Sequence, residues 1–140
     1  MGDKLILYPI FPLLALTAFV MFRTFFMRVA AIKSGAISHK FYRLFEGGTE
    51  PAKQRANTRH LNNMLQVPPL FYITCMLIYV TGINSIALIA FAWLFVVTRF
   101  LHSYVHLGAN RLKYRYKIFW VSVCVLILMW VISFIGVIQL

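Results

Sequence analysis

Four long apolar stretches constrain what this chain can fold into. They run from about Leu5 to Met27, Leu61 to Val80, Ile83 to Leu107 and Ile118 to Leu140. A helix needs roughly 20 apolar residues to cross a hydrocarbon core of about 30 Å, whereas a barrel strand needs only about 10. With 61% hydrophobic and 12% charged residues, the chain is too apolar for a soluble domain. The sequence therefore predicts an all-α integral membrane protein in which one four-helix bundle fills residues 1–140.

Basic residues lie almost entirely at one end of these spans. All of the 14 Lys and Arg residues except Lys4 lie in or beside two connections, at residues 23–59 and 99–117. The opposite side offers an uncharged turn at residues 81–84. Because Lys and Arg are retained in the cytoplasm, we expect both basic connections to be cytoplasmic and both termini to lie on the other side.

Breaker residues predict where the helices end. Ser34-Gly35 should end a first helix that continues to Lys33, and the second helix should start just after Pro51. Pro68-Pro69 interrupts the second span and should kink it.

Several functional classes lose support because of residues that the spans lack. Asp3, Glu46 and Glu50 are the only acidic residues, and all lie outside the apolar stretches. A proton-coupled exporter would need a carboxylate inside the membrane, and a voltage sensor would need Arg at every third position. Cys75 and Cys124 fall inside spans, where we expect buried apolar side chains and no disulfide or metal ligand. A nucleic-acid binder is also disfavoured, because the basic residues lie within reach of lipid headgroups.

The second span carries a polar stripe at its basic end. At about 100° per residue, one helix face holds Arg55, Arg59, Asn62, Asn63 and Gln66. His60 falls about 100° away and is expected to face another surface. Polar groups at this depth need partners, which are either other helices or a ligand.

The third span repeats the pattern with Arg99, His102, Ser103 and His106 on one face. Arg99 lies about 12 Å from the helix end at 1.5 Å per residue, so it should face the bundle interior or an oligomer interface. His102 and His106 have a spacing that suits a metal, but no Cys or carboxylate accompanies them, so no metal site is predicted.

These two faces carry recognisable motifs. On the second span, the pattern Arg-x-x-x-Asn-x-x-Glu followed by Pro is similar to the segment from Arg59 to Gln66 and Pro68. On the third span, the pattern Arg-x-x-(His or Tyr)-x-x-x-Tyr is similar to the segment from Arg99 to His106. The segment Leu107 to Arg115 is similar to the basic turn that follows in the same proteins. By these motifs and its four spans, the chain resembles the MAPEG family, the membrane-associated proteins in eicosanoid and glutathione metabolism. The likeness is greatest to bacterial branches of that family.

The resemblance implies a homotrimer that binds glutathione between subunits near the cytoplasmic face, in a bacterial inner membrane. It assigns glutathione contacts to Arg59, Asn63, Gln66, Arg99, His102, His106 and Lys113. A basic residue after the third span, Lys113 or Arg115, would activate the thiol, and we prefer Arg115 because its guanidinium is always charged. The implied activity is a glutathione-dependent transferase or peroxidase that acts on lipophilic electrophiles or lipid hydroperoxides.

The implied chemistry suits these residues. Glutathione has two carboxylates that match forked Arg contacts and a thiol with a pKa of roughly 8.5. Lowering that pKa by two units takes about 2.7 kcal/mol of preferential thiolate stabilisation, which one Arg in a partly dry site can supply.

Two other interpretations stay open at this point. The chain departs from the family pattern at Gln66, where Glu is usual, and at His106, where Tyr is usual. A non-catalytic protein could use the same Arg stripe to bind an anionic lipid or small amphiphile. A structural subunit could use its buried polar groups for packing alone.

Overall fold

A computed structural model describes residues 2–83, 85–108 and 111–139. After a short 3-10 helix at Gly2–Leu7, five helices follow: α1 (Ile10–Lys33), α2 (His39–Leu44), α3 (Ala52–Thr81), α4 (Ile86–Leu107) and α5 (Leu112–Ile138). Helices α1, α3, α4 and α5 are long and apolar enough to cross a bilayer. The described residues contain no strand. The protein is an all-α, multi-pass integral membrane protein, as the sequence predicted.

The helix ends agree with the breaker residues. Helix α1 ends at Lys33 and is followed by Gly35 in the left-handed region, with a φ of 73°. Helix α3 begins at Ala52 and runs through Pro68-Pro69 without ending. A kink at the two prolines stays a prediction. The turn residue Asn84, the motif residues Ala109 and Asn110, and the end of the fourth span at Leu140 lie outside the described residues.

Helix α2 lies in the connection between α1 and α3. Its hydroxyl cap is Ser38, which accepts a hydrogen bond from the backbone N–H of Phe41. Phe41 is buried, and Tyr42 accepts a hydrogen bond from Gln54 at the start of α3. The Arg28 guanidinium lies 5.5 Å from the centre of the Tyr42 ring. These contacts hold α2 against the ends of α1 and α3.

Two helix pairs form the bundle, because α4 packs chiefly against α5 and α1 chiefly against α3. In the apolar interior, Phe71 stacks on Phe95 with ring centres 4.5 Å apart. Trp130 donates a hydrogen bond from Nε1 to Thr74 Oγ1 at 2.7 Å, which joins α5 to α3. Asn57 of α3 donates to Thr24 Oγ1 of α1 near the opposite end of the bundle.

The outer surface is largely apolar, as expected for a face in contact with lipid. Cys75 lies in the interior and is fully buried, as predicted. Cys124 is exposed, so its predicted burial is wrong. The prediction failed because α5 is apolar on all sides, so its sequence does not show which face packs against α4.

Candidate functional site

Arg99 is the largest fully buried side chain that the structure describes, with an exposed fraction of 0%. Its Nη2 atom donates to Asn63 Oδ1 on α3 and lies 3.5 Å from Met64 Sδ. Within the described residues, Nε and Nη1 of Arg99 make no hydrogen bond. Arg99 therefore lies in the bundle interior, which is one of the two positions predicted for it, and its main hydrogen-bond acceptor is the Asn63 amide oxygen.

A cavity of about 260 Å³ opens at the polar end of the bundle, between α3, α4 and α5. It is lined by Arg59, Asn63, His102, His106, Leu112, Arg115, Tyr116 and Phe119. Three helices thus bring two guanidinium groups, an amide and two imidazoles to one volume. We call this volume the cationic cavity. None of the described acidic side chains lines it.

The cationic cavity separates the predicted site residues into three groups. Those that line it are Arg59, Asn63, His102, His106 and Arg115. Arg99 does not line the cavity, but it donates a hydrogen bond to Asn63, which does. Gln66 and Lys113 are exposed and outside the lining of this single subunit.

Helix geometry explains why Arg115 and Lys113 separate. Two residues apart on α5, their side chains point about 200° from each other around the helix axis. Arg115 is half-buried and faces the cavity, whereas Lys113 faces outwards. Neighbouring residues on a helix point about 100° apart, which is why Asn63 lines the cavity while Asn62, one residue earlier, is exposed.

His60 is the residue that the sequence did not place in the site. It is fully buried, and its Nε2 atom lies 2.9 Å from Ser103 Oγ on α4. Its ring centre is 4.7 Å from that of His106 and 5.6 Å from that of His102. One ring nitrogen from each of the three residues lies within 4.8 Å of the others. We call His60, His102 and His106 the histidine cluster.

The prediction that His60 faces a different surface from Arg59 is confirmed, because His60 packs against Ser103 and does not line the cationic cavity. Residues about 100° off the Arg stripe face α4, because α4 packs on that side of α3. The contact between His60 and Ser103 follows from that packing, and the spacing of residues along the chain could not predict it.

A second cavity of about 360 Å³ lies on the other side of His106. Arg23, Lys53 and Asn57 bring polar groups to it from α1 and α3. His106 is thus a lining residue of both volumes.

The arrangement suits an anionic ligand with an apolar part. Arg59 and Arg115 offer forked donors that match carboxylates. Leu112, Tyr116 and Phe119 supply an apolar wall beside them.

The comparisons agree with the motifs. The family model described as MAPEG family matches residues 6–135, which is nearly the whole chain. No curated protein and no solved structure matches the chain. Since the matched region contains α1 to α4 and nearly all of α5, the chain belongs to the MAPEG family.

Proposed function

We propose that this MAPEG protein is a membrane-bound, glutathione-dependent transferase or peroxidase that acts on lipophilic electrophiles or lipid hydroperoxides. The observation that carries the proposal is the cationic cavity, where Arg59, Asn63 and Arg115 from two helices face one volume. The association of the family with glutathione metabolism supports glutathione as the co-substrate.

Glutathione binding follows from the charges. Its two carboxylates pair with the Arg59 guanidinium and with neighbouring donors at the membrane face. Asn63 uses Oδ1 to accept from Arg99, so its NH₂ group is the part left to donate to a ligand. Arg99 is therefore a positioning residue. His102 and His106 add further polar contacts from α4.

Arg115 is the residue that we assign to thiolate stabilisation. Its side chain lines the cavity, and arginine is the basic side chain best suited to pairing with an anion in a partly dry site. The thiol loses its proton to solvent at the membrane face, and the thiolate sulfur attacks the electrophilic atom of the second substrate. The C–S bond forms as the leaving group departs, and the apolar wall holds the rest of the substrate.

We propose a homotrimer, as the family resemblance implies, and the size of the cavity supports a site shared between its subunits. At about 260 Å³ it is smaller than the roughly 300–1,000 Å³ of usual small-molecule sites, as expected if one subunit completes the site only in part. Asn62 and Gln66 are exposed on α3 of the isolated subunit, at a depth where polar groups need partners. We propose that a neighbouring subunit covers this face, and that Gln66 and Lys113 contact glutathione held there.

The same proposal includes an orientation. Because the basic connections carry most of the positive charge, they lie in the cytoplasm and the termini on the other side, in a bacterial inner membrane. Cysteine accessibility to an impermeant reagent at engineered positions 2 and 47 would check this orientation.

Substitution at Arg115 tests the catalytic assignment. With a chloro-nitroaromatic electrophile and glutathione, Arg115→Ala should lower kcat/KM by about 100-fold, which corresponds to about 2.7 kcal/mol of thiolate stabilisation. Lys117→Ala is the matched control, because Lys117 is an exposed cation on the same helix and lies outside the cavity lining. Equal activity of both variants and the wild type would exclude the role of Arg115.

A second function is favoured by the apolar part of the lining. Leu112, Tyr116 and Phe119 give the cavity the character of a lipid or amphiphile site, in which the Arg residues would hold an anionic headgroup without catalysis. Gln66→Glu separates the two functions. It should tighten glutathione binding if the glutathione ammonium lies at this position, and weaken binding of an anionic lipid by charge repulsion.

A further inference from the structure

The histidine cluster is not explained by glutathione binding alone. His60 is fully buried, His102 has an exposed fraction of 3% and His106 one of 5%. The three residues come from two helices, and one ring nitrogen of each lies within 4.8 Å of the other two. Ordinary packing does not favour three imidazoles side by side, since each buried polar atom without a partner costs about 1–3 kcal/mol.

The hydrogen bonds show which atoms are left for a ligand. The Nδ1 atoms of all three imidazoles are buried and make no hydrogen bond to any residue that the structure describes. His60 instead uses Nε2, which lies 2.9 Å from Ser103 Oγ. A metal-bound histidine typically bonds through one ring nitrogen while the other is held by a hydrogen bond, which fixes its tautomer. His60 has this arrangement, with Ser103 as the outer partner.

We propose that His60, His102 and His106 form a three-histidine site for a divalent transition-metal ion such as Zn²⁺, with the fourth position open to the cationic cavity. Imidazole is a preferred ligand of Zn²⁺, and three histidines with one open position form a known type of reactive zinc site. At about 2.0–2.1 Å per Zn–N bond, tetrahedral ligands lie roughly 3.4 Å apart. The ring nitrogens, which lie within 4.8 Å of one another, therefore have to approach by at most about 1.4 Å, which side-chain rotation can supply.

The open position follows from the cavity. His102 and His106 line the cationic cavity, whereas His60 lies behind them against Ser103. The side of the ion away from His60 would face the same volume as Arg59 and Arg115. A bound ion there would meet small ligands that enter the cavity.

Charge determines what the fourth ligand must be. Arg99 and Arg115 interact electrostatically with His102 and His106, and none of the described acidic side chains lines the cationic cavity. A divalent ion in these surroundings needs an anion beside it, so the fourth ligand should be hydroxide, a halide or a thiolate. If the proposed function holds, the glutathione thiolate fits this position. The metal site itself does not depend on glutathione.

Titration with Co²⁺ alone tests the site. The full chain, purified in detergent without a histidine tag and stripped with a chelator, should bind one Co²⁺ per chain and develop the visible absorption of a four-coordinate ion. Zn²⁺ should displace it. His60→Ala and His106→Ala should weaken binding by at least about 100-fold, since even loss of an outer partner costs about 10- to 100-fold.

The chain contains a matched control for these variants. His39 is the fourth histidine and is exposed on α2, away from the histidine cluster. His39→Ala should bind Co²⁺ as tightly as the wild type. Equal, weak binding by the wild type and all three variants would overturn the proposal.

X-ray absorption of the zinc-loaded wild type gives a result that does not depend on variant folding. Three imidazoles at about 2.0–2.1 Å and one further light atom or sulfur would support the site. A different ligand set, or no zinc retained after dialysis, would contradict it. Glutathione calorimetry on the chelated protein reports the proposed function separately, so either proposal can fail without the other.

Discussion

The contact between Arg99 and Asn63 gives a sharp test of how the site is built. Arg99 is fully buried inside the bundle, and its Nη2 atom donates to Asn63 Oδ1. Asn63→Ala removes this acceptor and leaves the guanidinium with Met64 Sδ at 3.5 Å as a weak remaining contact. The variant should therefore be less stable than the wild type.

The size of the effect follows from two limits. Hydrogen bonds to charged groups contribute about 1.5–3 kcal/mol in soluble proteins, whereas hydrogen bonds between membrane helices average about 0.6 kcal/mol. Arg99 is charged but lies within a membrane bundle, so we expect a loss of about 1.5 kcal/mol for Asn63→Ala. That loss corresponds to roughly a tenfold change in the unfolding equilibrium.

A double-mutant cycle isolates this contact from other effects of the substitution. Asn63→Ala, Arg99→Leu and the double variant would be unfolded by SDS titration in mixed micelles, with tryptophan fluorescence as the signal. In the Arg99→Leu background, Asn63→Ala should change the free energy of unfolding by less than about 0.5 kcal/mol. Leu65→Ala is the neighbouring control, since Leu65 is exposed on α3 away from the polar stripe and should have little effect in either background.

A coupling energy near zero would refute the reasoning. It would mean that Arg99 is satisfied elsewhere and that Asn63 is not held by it. The assignment of the Asn63 NH₂ group to ligand binding would then lose its basis as well.

Three further substitutions test single contacts. Trp130→Phe removes the hydrogen bond from Nε1 to Thr74 and should lower the free energy of unfolding by about 1 kcal/mol, and this loss should disappear in a Thr74→Val background. Gly136→Ala would place a Cβ atom against Ile83 Cγ2, so it should cost about 1–3 kcal/mol in the same SDS assay and be rescued by Ile83→Ala. Ser103→Ala should weaken Co²⁺ affinity about tenfold while one Co²⁺ per chain is still bound, and unchanged affinity would exclude its role as the outer partner.

The general position of Arg99 could be predicted from the sequence, because a charge so deep in a span has few alternatives to a protein interior. The polar stripe on α3 could also be read from its periodicity. Periodicity could not show which residues of the stripe line the cavity and which are exposed, since Asn63 lines the cavity while Gln66 is exposed. That difference depends on which side of α3 meets α4 and α5.

Two outcomes depended on packing between helices. The choice between Lys113 and Arg115 had rested on guanidinium chemistry, and the orientation of α5 places only Arg115 at the cavity. His60 was predicted to face a different surface from Arg59, which the structure confirms, but the sequence did not identify that surface. Its contact with Ser103 requires the relative rotation and height of α3 and α4, which no local pattern of residues encodes.

Binding of glutathione with formation of its thiolate is the central claim for this protein, and calorimetry combined with ultraviolet absorbance tests it most directly. The detergent-purified wild type would be titrated with glutathione while the thiolate band is recorded at a pH below the ordinary pKa of the thiol. The account predicts saturable binding with a thiolate signal that Arg115→Ala abolishes and Lys117→Ala retains. Absence of binding by the wild type, or binding without any thiolate signal, would contradict it.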